Sequence, residues 1–253
     1  MEGLNLAIVS EMRTGSRWLH YLLADILQMM PSPEIGYPLG NENLNTIDEH
    51  LANNRIVKFH QFPPKTLLDL NKFNKIIGIV RCPRDRAVSL AFHHRYHLPL
   101  STYPEWKERV DDFDAVKYTV TDNYRYIQEE ERQKLLSPNG FSTFDPILKD
   151  NSYIWTSYEW MKEDSFKEIQ SLLYFLDIDI DPGIIKKSIQ KNSFESKSGR
   201  KEGKESRRDT WRRKGIIGDW VNWFNNDMVK ITEEYYTEYW NKINSYGDFR
   251  NTN

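Results

Sequence analysis

The chain has 253 residues, with 35 Lys plus Arg against 37 Asp plus Glu and a formal net charge of −2. That balance argues against a general nucleic-acid binder, although local patches can hide inside it. The single cysteine, Cys82, excludes an intrachain disulfide framework and a multi-cysteine metal cluster. Aromatic residues make up 13% of the chain, too many for a disordered polymer, and the length suits one domain with a sizeable core.

Leu4 to Ser10 (LNLAIVS) is a short apolar run with β-branched residues and reads as a buried strand. A polar break containing Gly15 follows. From Arg17 onward, Trp18, Leu19, Leu22, Leu23, Ile26 and Leu27 recur at helical spacing, and Pro31 and Pro33 are expected to stop that helix. Strand, Gly-containing turn and helix open a βαβ unit. Arg55 to Phe59 (RIVKF) predicts a second strand, ended by His60 and the Pro63-Pro64 turn, and Lys75 to Val80 (KIIGIV) a third. Asp85 to Tyr96 reads as a helix, with Pro83 just before it, where a missing N–H costs little. Tyr153 to Thr156 is a fourth candidate strand. Ser165 to Leu176 is an amphipathic helix with Phe166, Ile169, Leu172, Leu173 and Leu176 on one face. The C-terminal TEEYYTEYW segment has helical character. Strands alternating with helices predict an α/β fold, a single domain with a central, mainly parallel β-sheet flanked by helices.

Two stretches differ in charge. Residues 105–114 hold five acids and two bases, whereas residues 195–214 hold nine bases and four acids. The basic stretch also carries Gly and Ser and reads as a mobile loop rather than a packed element. The chain opens without a basic leader and apolar core, and its apolar tracts fall short of the roughly 20 residues a membrane span needs. The expectation is a cytoplasmic protein with no membrane partner.

Four places carry candidate chemistry. MRTGSRW (residues 12–18) lies between the first strand and helix, where backbone N–H groups and a helix N-terminus can cradle an anion, with Arg13, Thr14 and Ser16 as further donors. It lacks the spacing of a Walker A loop. RCPRDRAVS (residues 81–89) ends an apolar strand with Arg81, and Ser89 follows within the next helix; Arg can grip a phosphate with two parallel hydrogen bonds. WRRKGIIGDW (residues 211–220) sets three consecutive cations beside a glycine. VKFH (residues 57–60) puts His60 at a strand's C-terminal end, where α/β folds place chemistry. Each alone has an ordinary structural explanation: a tight turn, an Arg capping a sheet edge, a solvated charge run, a buried His.

Together, their order and spacing resemble the sulfotransferases that use 3′-phosphoadenosine-5′-phosphosulfate (PAPS), especially the cytosolic type, on its microbial small-molecule side. MRTGSRW is similar to that family's phosphosulfate loop, P-[KR]-[ST]-G-[ST]-[TS]-W. RCPRDRAVS resembles its 3′-phosphate motif, R-N-x-[KR]-D-x-x-x-S, and RKGIIGDW (residues 213–220) matches R-K-G-x-x-G-D-W. YEWMKED (158–164), NSF (192–194) and KFH (58–60) fall where the family has Y-E-D-M-K-E-D, T-S-F and K-T-H. The resemblance covers residues 4–224 and implies a P-loop-like sulfotransferase fold. It also implies sulfuryl transfer from PAPS, leaving PAP, to a hydroxyl or amine of a small acceptor.

By that resemblance His60 is the general base, with an unperturbed pKa near 6.5 that suits neutral pH. Lys58 and Arg13 lie near the bridging oxygen and sulfuryl group. Thr14, Gly15, Ser16 and Arg17 hold the 5′-phosphate. Arg81, Ser89, Arg213, Lys214 and Gly215 bind the 3′-phosphate, Ser89 counting also with the catalytic set. Trp18, Tyr158 and Phe194 surround the adenine, with Ser193 beside them. No metal is expected, because fixed cations take the part Mg²⁺ plays in kinases.

The sequence departs from the pattern at Arg13 (commonly Lys), Arg17 (commonly a small hydroxyl residue), Asn192 (Thr) and Cys82 (Asn). The family's dimer motif K-x-x-x-T-V-x-x-x-E has Val221, Asn225, Asn226 and Lys230 at its positions, so that dimer is not expected. Segments 31–54 and 97–150 are expected to form the acceptor side, for a cationic or polyhydroxylated small molecule such as a secondary metabolite. Competing readings are a P-loop-like kinase, a non-catalytic nucleotide-binding protein on the same fold, and a nucleic-acid binder built on residues 195–214. Cations flanking a small-phosphate motif favour a nucleotide over a nucleic acid.

Overall fold

The computed structural model describes residues 3–32, 49, 52, 55–60, 72–97, 111–123 and 153–233. In chain order the elements are β1 (Leu6–Ser10), α1 (Ser16–Leu27), β2 (Met30–Pro31), β3 (Arg55–His60), β4 (Lys75–Val80), α2 (Pro83–Tyr96), α3 (Asp112–Tyr118), β5 (Tyr153–Ser157), α4 (Tyr158–Glu163), α5 (Ser165–Phe175), α6 (Pro182–Lys191) and α7 (Phe194–Ser198). Single tight turns of helix follow at Thr210–Arg212 and Asp219–Asn222. They form two compact units, one from Met1–Val80 with Thr143–Lys197, the other from Arg81–Ser142 with Ser198–Asn253.

The first unit is built on a five-stranded sheet in the order β2-β3-β1-β4-β5, with every pair parallel. All five residues of β1 are buried, as a strand covered on both faces requires. Leu6 and Ile8 of β1 join Leu19, Leu22, Leu23 and Ile26 of α1, Ile77 and Ile79 of β4, and Ile169 and Leu172 of α5 in one apolar core. Each such side chain contributes about 1.5–3 kcal/mol on burial. Lys75 fastens the start of β4: its Nζ donates to the Phe175 carbonyl at 2.7 Å and to Asp177 Oδ2 at 2.8 Å.

In the second unit α2 packs against α3. Ala87, Val88, Ala91 and Phe92 of α2 are buried, as are Ala115 and Val116 of α3. Asp111 caps α3, its Oδ1 accepting from the Asp114 N–H at 2.8 Å.

The predicted strands and long helices form, with corrections at their ends. The first helix is stopped by Gln28 in a left-handed conformation (φ 53), not by the prolines. Pro31 instead sits in β2, an edge strand where its missing N–H breaks no ladder. Pro83 is the first residue of α2 rather than its forerunner. Sequence periodicity did not anticipate α6. Its signal is local: Asp181 Oδ1 accepts from Gly183 and Ile184 N–H, and Pro182 stands at the first position.

Most residues of the basic stretch are exposed, and several are tied by hydrogen bonds within it. Gly203 N–H donates to the Lys214 carbonyl and Ser206 N–H to that of Arg213. The Arg200 guanidinium donates to the carbonyls of Lys204, Arg212 and Arg213. Trp211 lies 4.9 Å from the ring centres of both His93 and His97 on α2.

Most of segments 31–54 and 97–150, and residues 234–253, lie outside the described residues. No described helix is long and apolar enough to cross a membrane.

Candidate functional site

In the order β2-β3-β1-β4-β5 the chain leaves β1 toward β2 and β3 on one side and β4 toward β5 on the other, and ligands in open α/β sheets bind at the C-terminal ends of strands at such a switch point. Ser10 ends β1, paired in register with His60 on β3 and Ile79 on β4. The next residues form the turn into α1. Gly15 carries φ +89, and its carbonyl accepts from the Trp18 and Leu19 N–H groups at 2.9 and 3.2 Å. Arg13 also adopts a left-handed conformation, φ 71, which is strained for a side-chain-bearing residue. The turn thus delivers the N-terminal end of a 12-residue helix, whose dipole favours an anion.

Tyr158, the first residue of α4, closes over this turn: a Cβ on Gly15 would lie 2.6 Å from its Cδ2. Trp18 meets the same ring edge-on, with centroids 6.0 Å apart at 71°. The buried Trp18 Nε1 and Ser10 Oγ have no hydrogen-bond partner among the described residues. Such unmet polar atoms beside a helix N-terminus fit a polar ligand. Thr14 departs from expectation, because its Oγ1 donates to the Glu11 carbonyl at 3.0 Å and closes the turn. A hydroxyl has one proton, so Thr14 offers an anion its backbone N–H and not its side chain while that bond stands.

Lys58, 2% exposed, lies on β3 two residues before His60; for His60 only the backbone position is described. Ser193 is engaged as a cap, its Oγ accepting from the Ser196 N–H at 3.2 Å, and the half-buried Phe194 starts α7. Asn192 is buried and donates to the Ser188 carbonyl at 3.0 Å.

The second unit gathers the other predicted set. Arg81 Nη2 donates to the Ile216 carbonyl at 3.3 Å, and the Arg213 guanidinium lies 4.5 Å from the Phe92 ring centre, one turn beyond the buried Ser89 on α2. Arg213 pairs with both Glu205 and Asp219; Lys214 Nζ reaches Asp219 Oδ1 at 2.7 Å. Gly215 and Gly218 carry φ 70 and 77, the left-handed turns that fold the segment back.

Asp219 is the residue the sequence reading missed. It is 2% exposed and also accepts from Asn222 Nδ2 at 3.1 Å and Trp223 Nε1 at 3.3 Å. Burial pushes its pKa up, but the hydrogen bond from Lys214, the charge and hydrogen bond of Arg213, and Asn222 outweigh burial and bring it down from 3.8 to about 2. A depressed carboxylate pKa contributes stability that is present above the unfolded value and lost as pH falls through the folded one. The contribution, about 2 kcal/mol, is therefore whole above roughly pH 4 and vanishes near pH 2. Denaturant midpoints compared between wild type and Asp219→Asn from pH 5 to pH 3 should show a narrowing gap; a constant gap would exclude this account.

The acidic stretch has structural work. Asp111 caps α3, while Asp112 pairs with Arg95 at 2.9 Å and with Arg207 of the basic stretch at 2.7 Å, and accepts from the Tyr96 hydroxyl. Burial, reinforced by that carboxylate, raises the Tyr96 pKa. Among the described residues no cluster of three His, Cys, Asp or Glu is placed to hold a metal ion.

A family model for a sulfotransferase domain matches residues 5–244. The rat protein "Sulfotransferase 1 family member D1" is 27% identical over 218 residues, covering 80% of this chain and 66% of the relative. Bovine "Sulfotransferase 1A1" is 28% identical over 199 residues, covering 73% and 61%. The chain thus matches two thirds or less of those relatives' length. Among solved structures, mouse sulfotransferase SULT7A1 complexed with PAP superposes with a TM-score of 0.67 at 20% identity, covering 100% of this chain and 90% of that one. Retinol dehydratase in complex with androsterone and inactive cofactor PAP gives 0.55 at 18%, covering 92% and 80%. These two likenesses show a shared fold.

Proposed function

This chain belongs to the sulfotransferase domain family, and from that premise we propose that it transfers a sulfuryl group from PAPS to a small-molecule acceptor. The observation that carries the proposal is the turn at Gly15 at the C-terminal end of the central strand, over which Tyr158 closes, with Trp18 edge-on to the same ring and its indole N–H without a partner among the described residues. Two flat rings beside a helix N-terminus, the half-buried Trp18 and the buried Tyr158, suit a purine nucleotide with a 5′ anion. By the motifs they match, Arg81, Arg213 and Lys214 supply cations for the 3′-phosphate, the group that distinguishes PAPS from a donor bearing phosphate at one end only.

Sulfuryl transfer moves SO₃ from a phosphate oxygen to the acceptor, and negative charge grows on the bridging oxygen as that bond breaks. In this reading Arg13 and Lys58 stabilise the growing charge without reorganising at the moment of reaction, where preorganised charges act most strongly. Arg13 stays protonated throughout, so it works through charge and hydrogen bonds and not as a proton donor. His60, at the end of β3, takes the acceptor's proton. Gly15, Ser16 and Arg17 hold the 5′-phosphate, joined by the Thr14 backbone N–H; Ser193 and Phe194 border the adenine; Ser89 and Gly215 join the cations at the 3′-phosphate.

Because Asp111 and Asp112 already serve a helix cap and ion pairs, selection of a cationic acceptor would fall to other groups. A hydroxylated acceptor is the version we favour, with the protein acting in the cytoplasm and without the family-type dimer. Incubation with PAPS and a panel of hydroxyl- and amine-bearing acceptors should give a mass gain of about 80 Da, the mass of one SO₃, together with stoichiometric PAP. Turnover of ATP with Mg²⁺ and no such gain would favour a kinase instead. PAP binding without transfer to any acceptor class would favour a non-catalytic nucleotide binder.

A further inference from the structure

We infer that Asp85 is a positioning residue that sets recognition of the 3′-phosphate, by holding the 213–220 segment in the shape that presents Arg213, Lys214 and Gly215. This rests on the PAPS reading above and concerns a residue to which that reading gives no role. Asp85 lies in the first turn of α2, is 2% exposed, and uses both carboxylate oxygens on backbone far away in sequence. Oδ2 accepts from the Gly218 N–H at 2.6 Å and Oδ1 from the Trp220 N–H at 3.0 Å. Between those two N–H groups stands Asp219, whose own carboxylate binds Arg213 and Lys214. One continuous hydrogen-bonded path therefore runs from α2 through residues 218–220 to the cations.

Two further contacts fasten the same segment to the same helix end. The Arg84 guanidinium lies 4.5 Å from the Trp220 ring centre and donates to Thr232 Oγ1 and Glu233 Oε1, each at 3.0 Å. Arg81 donates to the Ile216 carbonyl. Asp85 and Ser89 are four residues apart on α2 and so share a face. Carboxylate and phosphate-binding hydroxyl are thus set by one rigid element, as a support that must hold the cations to within fractions of an ångström requires.

A carboxylate among cations meant for a phosphate makes a contrary prediction if only charge matters. Neutralising it would then strengthen phosphate binding. If Asp85 acts by position, neutralising it weakens phosphate binding, because Asn keeps one acceptor oxygen and must drop one of the two backbone N–H groups. The two accounts differ in sign.

The test is equilibrium binding of PAP and of 5′-AMP, which lacks the 3′-phosphate, to the full chain. Wild type should prefer PAP. Asp85→Asn should lower that preference about tenfold, the effect of a lost bond to a charged group, with 5′-AMP affinity changed by less than twofold. Asp85→Glu, which keeps both oxygens, should recover part of the preference. If Asp85→Asn does not fold, Arg84→Ala loosens the same segment from a position 22% exposed and should lower the preference in the same direction. An unchanged or increased preference for PAP in the folded variant overturns the proposal. A wild-type protein that fails to prefer PAP overturns the PAPS reading instead.

Discussion

His60→Ala is expected to lower the rate of sulfuryl transfer by about 10²–10⁴-fold. On the free-energy scale that is roughly 3–5 kcal/mol of barrier, larger than the stability that Asp219 contributes through its titration. The size follows from the acceptor. A neutral hydroxyl is a poor nucleophile whose proton must leave as the new S–O bond forms, and an imidazole with a pKa near 6.5 is an efficient acceptor of it at neutral pH. His60 ends β3 in register with Ser10, the last strand residue before the turn into α1. His60 and that turn therefore issue from adjacent strand ends. The rate of wild type should rise with pH through the imidazole titration, and His60→Ala should lose that limb while keeping PAP affinity within twofold. Transfer by His60→Ala at the wild-type rate would remove His60 from the mechanism and leave the electrostatic groups to account for catalysis.

The first βα unit was legible because its information is local. Leu6 to Val9 is uniformly apolar, Leu19, Leu22, Leu23 and Ile26 repeat at helical spacing, and Gly15 sits where the backbone turns left-handed into the helix. The cation set was legible for the same reason, since Arg213, Lys214 and Gly215 are consecutive. What holds them was not. Asp85 and Gly218 meet across 133 positions of chain, and no periodicity or composition window spans such a distance. The basic stretch shows what composition leaves out. Composition counts cations and assigns them to water, but Arg200 spends its donors on three backbone carbonyls and so becomes a staple. The acidic stretch repeats the lesson: Asp111 and Asp112 look like bait for a cationic ligand until their partners, a helix N-terminus and two arginines, are known. Charge that is read as available in a sequence is often already paired in the fold.

Gly15→Ala should be the most damaging of the small substitutions, and for two separable reasons. The φ of +89 costs a residue with a Cβ about 1–2 kcal/mol. The new methyl would also lie 2.6 Å from Cδ2 of Tyr158, a buried ring that cannot swing aside into solvent; overpacking of that kind costs about 1–3 kcal/mol. Together these predict a thermal midpoint lowered by roughly 5–15 °C, read by differential scanning calorimetry. The strain can be relieved only by moving the turn or the ring, the two surfaces proposed to hold the 5′-phosphate and the adenine. Nucleotide affinity should therefore fall for 5′-AMP and PAP alike, the opposite pattern to the Asp85 variant, in which the 3′-phosphate preference alone changes. Adding Tyr158→Ala removes the clash and leaves the backbone strain, so the double variant should regain part of the turn's stability without regaining affinity. A Gly15→Ala protein that melts and binds 5′-AMP like wild type would show that the turn is not the anion cradle.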